Sequence, residues 1–96
     1  MAASAQRSVN LAIRAPLRRE DLPGLFARTC ALLARGGSDE LRCEVTGVDA
    51  DAVAVDALAR LALAARRNDC SVRLCGASAD LLALVAFAGL DGVLRS

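Results

Sequence analysis

Between Leu41 and Gly76 the spacing of the apolar residues changes twice, and few folds accommodate both changes. Leu41 to Val48 (LRCEVTGV) alternates apolar and polar residues loosely, enough for a strand, Ala52 to Arg67 repeats its apolar residues at helical spacing, and Ser71 to Cys75 alternates again. The segment therefore reads as strand, helix, strand. Two strands joined by a helix of this length can lie parallel in one sheet, with the strand-to-helix turn from Val48 to Ala52 opening at its carboxyl edge. That turn is the expected seat of function.

The flanking sequence extends the pattern. In Val9 to Ala15, the apolar Val9, Leu11 and Ile13 alternate with Asn10, Ala12 and Arg14, before Pro16 ends the ladder. A helix is predicted from about Asp21, with Pro23 in its first turn, acids where the dipole favours them, and an apolar stripe of Leu22, Leu25, Phe26, Thr29, Leu32 and Leu33. Arg35, Gly36 and Gly37 end it. After Gly76, Ser78 reads as an N-cap and Gly89 as the C′ residue of a third helix, whose inner stripe is Leu81, Leu84, Val85 and Ala88. Leu82 and Phe87 lie off that stripe, so this helix is apolar on more than one face, which suits either packing between layers or a homodimer. Leu90, Val93 and Leu94 suggest a last extended segment over the core. Residues 1–8 lack periodicity and large apolar side chains and read as a disordered start, leaving 9–96 as one domain.

Composition narrows the functional classes. Twelve Arg against eleven Asp plus Glu leave a net charge of +1, so no global charge drives the chain onto nucleic acid or an anionic membrane. There is no His and no Lys, which removes the commonest general base and the amine nucleophile. No nucleophile, base and orienting group can be assembled from the sequence, so the chain is expected not to be an enzyme. The four cysteines, Cys30, Cys43, Cys70 and Cys75, form no CxxC pair and have no His to complete a zinc set. They are expected to be core thiols, with no metal and no cofactor. No apolar run reaches transmembrane length and no signal peptide precedes the domain, so a soluble, cytoplasmic protein is expected.

The helix of the central unit divides unevenly. On a helical wheel Ala54, Leu61, Ala65, Leu58, Ala62 and Val55 share about a third of the circle, the width of a core-facing stripe. The opposite arc carries Val53, Asp56, Arg60, Leu63, Ala64 and Arg67, with Asp56 and Arg60 an i,i+4 pair. Val53 and Leu63 beside an ion pair form a candidate contact patch, although scattered surface apolar residues also occur without function.

At this point the chain resembles a known family. ELRCEVTGVDADAV followed by VDALARLALAARRNDCSVRLCGASADLLALVAFAGLDGVL is similar to the STAS domain, the fold of bacterial anti-sigma factor antagonists and of the cytoplasmic tails of sulfate transporters. The resemblance covers Val9 to Leu94 and rests on the EVTGV strand end, the Arg-rich helix end, the VRLCGAS junction and LLALVAFAGL. It implies an α/β fold, a single STAS-like domain with a small mixed β-sheet of about four strands covered by three helices. It also implies a partner-binding switch in transcription regulation by sigma factors. In such antagonists a loop of the pattern Asp, Ser or Thr, Ser, Gly, Leu precedes the second helix, and its second hydroxyl residue is phosphorylated by an anti-sigma kinase. Counting back from Cys75 and Gly76 places Asp51, Ala52, Val53, Ala54 and Val55 on that pattern, with Val53 at the phosphoacceptor position. Neighbouring registers place Asp51 or Asp56 there. No Ser or Thr occurs between Thr46 and Ser71, so every register lacks a hydroxyl. Asp49 and Asp51 either cap the helix or supply permanent negative charge at its positive end.

The expected partner surface is therefore Asp49, Asp51, Ala52, Val53, Asp56, Arg60 and Leu63, and the expected partner an anti-sigma factor or regulatory kinase. Val53→Glu or Leu63→Arg is expected to weaken binding with the fold intact. Two alternatives stay open: a STAS subunit of a transporter or lipid-transport assembly, and a small-ligand or nucleotide sensor at the open sheet edge. The sequence GVDADA lacks the glycines of a phosphate cradle, so only location speaks for the last.

Overall fold

A computed structural model describes residues 7–37 and 39–95. Its elements are β1 (Ser8–Ala12), a short 3-10 turn (Arg19–Asp21), α1 (Leu22–Ala34), β2 (Glu40–Glu44), α2 (Ala52–Arg67), β3 (Ser71–Cys75), α3 (Ala79–Phe87) and β4 (Leu94–Arg95). The expected disordered start lies outside the described residues over 1–6, and Ser8 belongs to the first strand.

Every strand pairing is parallel, in the order β1-β2-β3-β4. The sheet is thus not the mixed one expected. It has three strands of five residues, lengthened at one edge by the two-residue β4. Strands added in chain order through right-handed crossovers place every connecting helix on one face of the sheet. The burial pattern agrees: Leu11, Leu41, Cys43, Val72, Leu74 and Leu94 are buried, whereas Ser8, Asn10, Ala12, Arg42, Glu44, Ser71 and Arg73 on the opposite face are exposed. Parallel sheets are usually covered on both sides. Here the second face is polar and bare, and Arg73 Nε donates across it to Glu40 Oε2 at 3.1 Å.

The core lies between the sheet and the helices. Leu22, Leu25, Thr29 and Leu33 of α1, Ala54, Ala57, Leu58, Leu61, Ala62 and Ala65 of α2, and Leu81 and Val85 of α3 close over the strands. Burying each leucine fully stabilises the fold by about 1.5–3 kcal/mol relative to exposure. The alanine stripe of α2 lets that helix approach its neighbours closely. Thr29 is the one polar residue buried among the described residues, and its Oγ1 donates to the Leu25 carbonyl at 2.9 Å, which satisfies the hydroxyl within its own helix.

Three local expectations change, the first being that the strand expected over Val9 to Ala15 runs Ser8–Ala12. The strand expected to reach Val48 stops at Glu44, because Val48 N–H donates to the Val45 carbonyl at 3.1 Å and turns the chain. In α3, Leu81 and Val85 are buried while Leu84 is half-buried and Ala88 exposed, because this short helix covers only the end of the sheet. Phe87 is 90% exposed.

Candidate partner-binding surface

The carboxyl edge of the sheet is built from the loops after β1, β2 and β3. Val45 N–H donates to the Cys75 carbonyl at 2.9 Å, which ties the β2 exit to the end of β3, and buried Val45 and Val48 anchor the turn in the core. Gly47, with φ of +81°, brings the turn against the loop after β1: a Cβ built there would stand 3.7 Å from Ala15 Cβ. The chain then enters α2 through Asp51, whose carboxylate accepts from the Ala54 N–H at 2.8 Å. Asp51 is therefore an N-cap. Asp49 and Ala52 are exposed beside it, and the Asp49 carbonyl accepts from the Asp51 N–H at 3.1 Å.

The flank of α2 that carries Val53, Asp56 and Arg60 is less open to solvent than a helical wheel alone suggests. Val53 is half-buried and packs on the core. Asp56 bonds Arg19 Nη1 at 3.3 Å and Arg60 Nε at 3.2 Å, and the Arg60 guanidinium stacks 5.4 Å from the Phe26 ring centroid. These contacts attach α2 to α1 and to the 3-10 turn before it. A partner meeting this flank meets side chains already engaged within the molecule. Leu63, 51% exposed, stands free further along the helix, as Asp49 and Ala52 do before it.

Leu63 borders a shallow groove of about 180 Å³ between α1 and α2, lined also by Phe26, Thr29, Cys30, Arg60 and Arg67. Phe26 and Cys30 were not expected here, since both were assigned to the core. Cys30 is exposed because α1 turns that side toward the groove instead of the sheet. No periodicity within α1 reveals this; it depends on where α2 lies.

The other thiols sit differently. Cys43 and Cys70 are buried, and Cys75 is half-buried on the bare sheet face, where Arg42 Nη2 lies 3.9 Å from its Sγ. Burial, reinforced by the neighbouring Cys75 and Cys70, pushes the Cys43 thiol up to about 12, so it stays protonated at neutral pH. Burial, then Asp39 and Glu40, also raises Cys70. Among the described residues no group of three or more His, Cys, Asp and Glu side chains could hold a metal ion, and no helix is long and apolar enough to cross a membrane.

A second depression, of about 380 Å³, opens where β1 passes into α1. Arg14, Glu20, Asp21 and Arg28 surround an apolar floor of Leu17 and Leu25, with Gly24 in the helix wall. Its charges are of both signs and exposed, so it selects strongly for neither anions nor cations. Comparison of the chain with protein-family models and with curated proteins finds no match.

Proposed function

We propose that this chain is a non-enzymatic, STAS-like interaction module of a bacterial cytoplasm, similar to anti-sigma factor antagonists, which binds an anti-sigma factor or regulatory kinase. The observation that carries the reading is Leu63, a branched apolar side chain 51% exposed at the rim of a groove whose walls include Phe26 and Cys30. An exposed leucine with an aromatic neighbour suits a protein contact. The surface is redrawn accordingly, from the whole run Asp49 to Leu63 to the outer side of the α1–α2 pair. Asp49 and Ala52 border it, Asp51 acts as the cap, and Asp56 and Arg60 hold its shape. The position equivalent to the family's phosphoacceptor is half-buried Val53, so binding is insensitive to serine phosphorylation at this loop.

That missing hydroxyl favours one second reading, a STAS subunit of a transporter assembly, in which a phosphorylation switch is dispensable. Affinity capture of the tagged chain from its own lysate, with Leu63→Arg as control and mass spectrometry as readout, separates the two. The control must melt within a few degrees of the parent, as expected for an exposed site. An anti-sigma factor or its kinase, lost in the control, supports the first reading, and a transporter ATPase the second. Capture of either partner undiminished in Leu63→Arg refutes the proposed face. Val53→Glu is no longer a clean probe, because it puts a charge against the core.

A further inference from the structure

We infer that the free edge of β1 takes an extended, acidic segment of a partner protein as an additional strand. Only β2 pairs with β1 among the described residues, so its other edge is open. The Arg7 carbonyl accepts from Glu40 N–H at 3.2 Å and Ile13 N–H donates to the Glu44 carbonyl at 2.9 Å, which turns the odd-numbered residues toward β2. By alternation the backbone N–H and C=O groups of Ser8, Asn10 and Ala12 point outward. Edges of this kind are templates for strand addition.

The groove beside the edge identifies the guest. It has a volume of about 440 Å³ and lies between β1 and α1, with Leu11, Ala31 and Leu32 along its floor and Arg14, Arg28 and Arg35 around it. No acidic residue lines it. Among the described residues none of these three arginines is in an ion pair, whereas Arg19, Arg60 and Arg73 all are. Because α1 returns antiparallel to β1, Arg28 lies with Arg14 toward the carboxyl end of the strand and Arg35 toward its amino end. Seven helical residues span about 10 Å. Same-face residues of an extended chain recur at ~7 and ~13 Å, so carboxylates at alternate positions of an added strand fall within reach of both arginines.

Two other occupants fit less well. A second copy pairing through its own β1 would bring six arginines onto one seam, with only Glu20 and Asp21 of each copy, beside Arg14 and Arg28, to offset them. A DNA backbone offers only acceptors to the edge, leaving the carbonyls of Ser8, Asn10 and Ala12 unpaired. A peptide supplies both donors and acceptors.

The test uses the whole chain, isotopically labelled for NMR, and a blocked heptapeptide of alternating Glu and Val. The expected result is amide shifts centred on Ser8, Asn10 and Ala12. Arg28→Glu combined with Arg35→Glu should weaken binding by ~10-fold or more, and a Lys–Val peptide should not bind. Two further peptides, N-methylated on every Glu or on every Val, keep the charge and block one hydrogen-bonding edge each; at least one should lose ~10-fold in affinity. Leu63→Arg should leave peptide binding unchanged, which separates this edge from the α1–α2 groove. Undiminished binding of both N-methylated peptides, tighter binding of a single-stranded DNA oligonucleotide, or a free protein already dimeric with these three amides protected would each overturn the inference. The peptide series keeps the test decisive if the double variant does not fold.

Discussion

Gly76 to Ala is the substitution whose cost can be worked most directly from the geometry. Gly76 ends β3 with φ of +76°, and a Cβ there would press on Thr46 Oγ1 and stand 2.6 Å from Glu44 Oε1 and 3.3 Å from Thr46 Cβ. Holding an L-residue in the left-handed region costs about 1–2 kcal/mol. Thr46 must also move, breaking the hydrogen bond that its Oγ1 donates to Glu44 Oε1, which is worth about 0.5–1.5 kcal/mol. The total is about 1.5–3.5 kcal/mol. For a domain of this size that lowers Tm by roughly 6–28 °C. Gly89→Ala provides the control, because Gly89 has a similar φ of +79° but nothing within 4 Å of its added Cβ. Urea unfolding followed by far-UV circular dichroism should give the smaller, conformational loss for Gly89→Ala and the larger one for Gly76→Ala. In a Thr46→Ala background, where that hydrogen bond is already absent, Gly76→Ala should cost less than in the parent by about 0.5–1.5 kcal/mol. Equal losses at the two glycines would refute the reasoning, since the turn after β2 would then not be pressed against the end of β3. The loop before α2 would lose one of the contacts that holds it at the carboxyl edge.

Two further outcomes are expected. Asp51→Ala should cost about 1 kcal/mol by removing the cap on the Ala54 N–H, with the loss read by thermal melting; no loss would return the Asp51 carboxylate to the set of groups free to meet a partner. Alkaline stability should be set in part by Cys43. Its folded value of about 12 stands above the usual 9.0, so the unfolded chain releases the proton first. Stability should be complete below pH 9 and fall as pH rises toward 12. The fall should be shallower in Cys43→Ala, and parallel pH profiles for the two proteins would contradict the assignment.

How much of this was legible beforehand varied by residue. The helix Ala52–Arg67 and the strand Ser71–Cys75 have the limits that periodicity predicts, and the Ser78 cap accepts from Leu81 N–H at 3.1 Å as its position suggests. The second strand is predicted four residues too long because Val45 keeps the alternation of Leu41 and Cys43 and Val48 is apolar as well, whereas both serve as anchors of a turn. At the candidate site, Asp51 and Leu63 could be placed from sequence, one by cap chemistry and the other by its side of the helix. The Asp56–Arg60 pair also forms as its i,i+4 spacing predicts, whereas its ties to Arg19 and Phe26 could not be read, since those residues lie more than thirty positions away along the chain.

The sequence by itself therefore determined the helices, the strands they alternate with, the α/β class and the absence of a hydroxyl before α2. Each of these depends on side chains within a few positions of one another, whose spacing sets which face of an element is apolar. Only the tertiary structure decided that all strands run parallel in chain order, that no described residue covers one sheet face or the β1 edge, and that α1 packs against the flank of α2 below Leu63. Those outcomes follow from packing between distant segments. The local pattern says that a face must be buried, and only the assembled chain says which neighbour buries it.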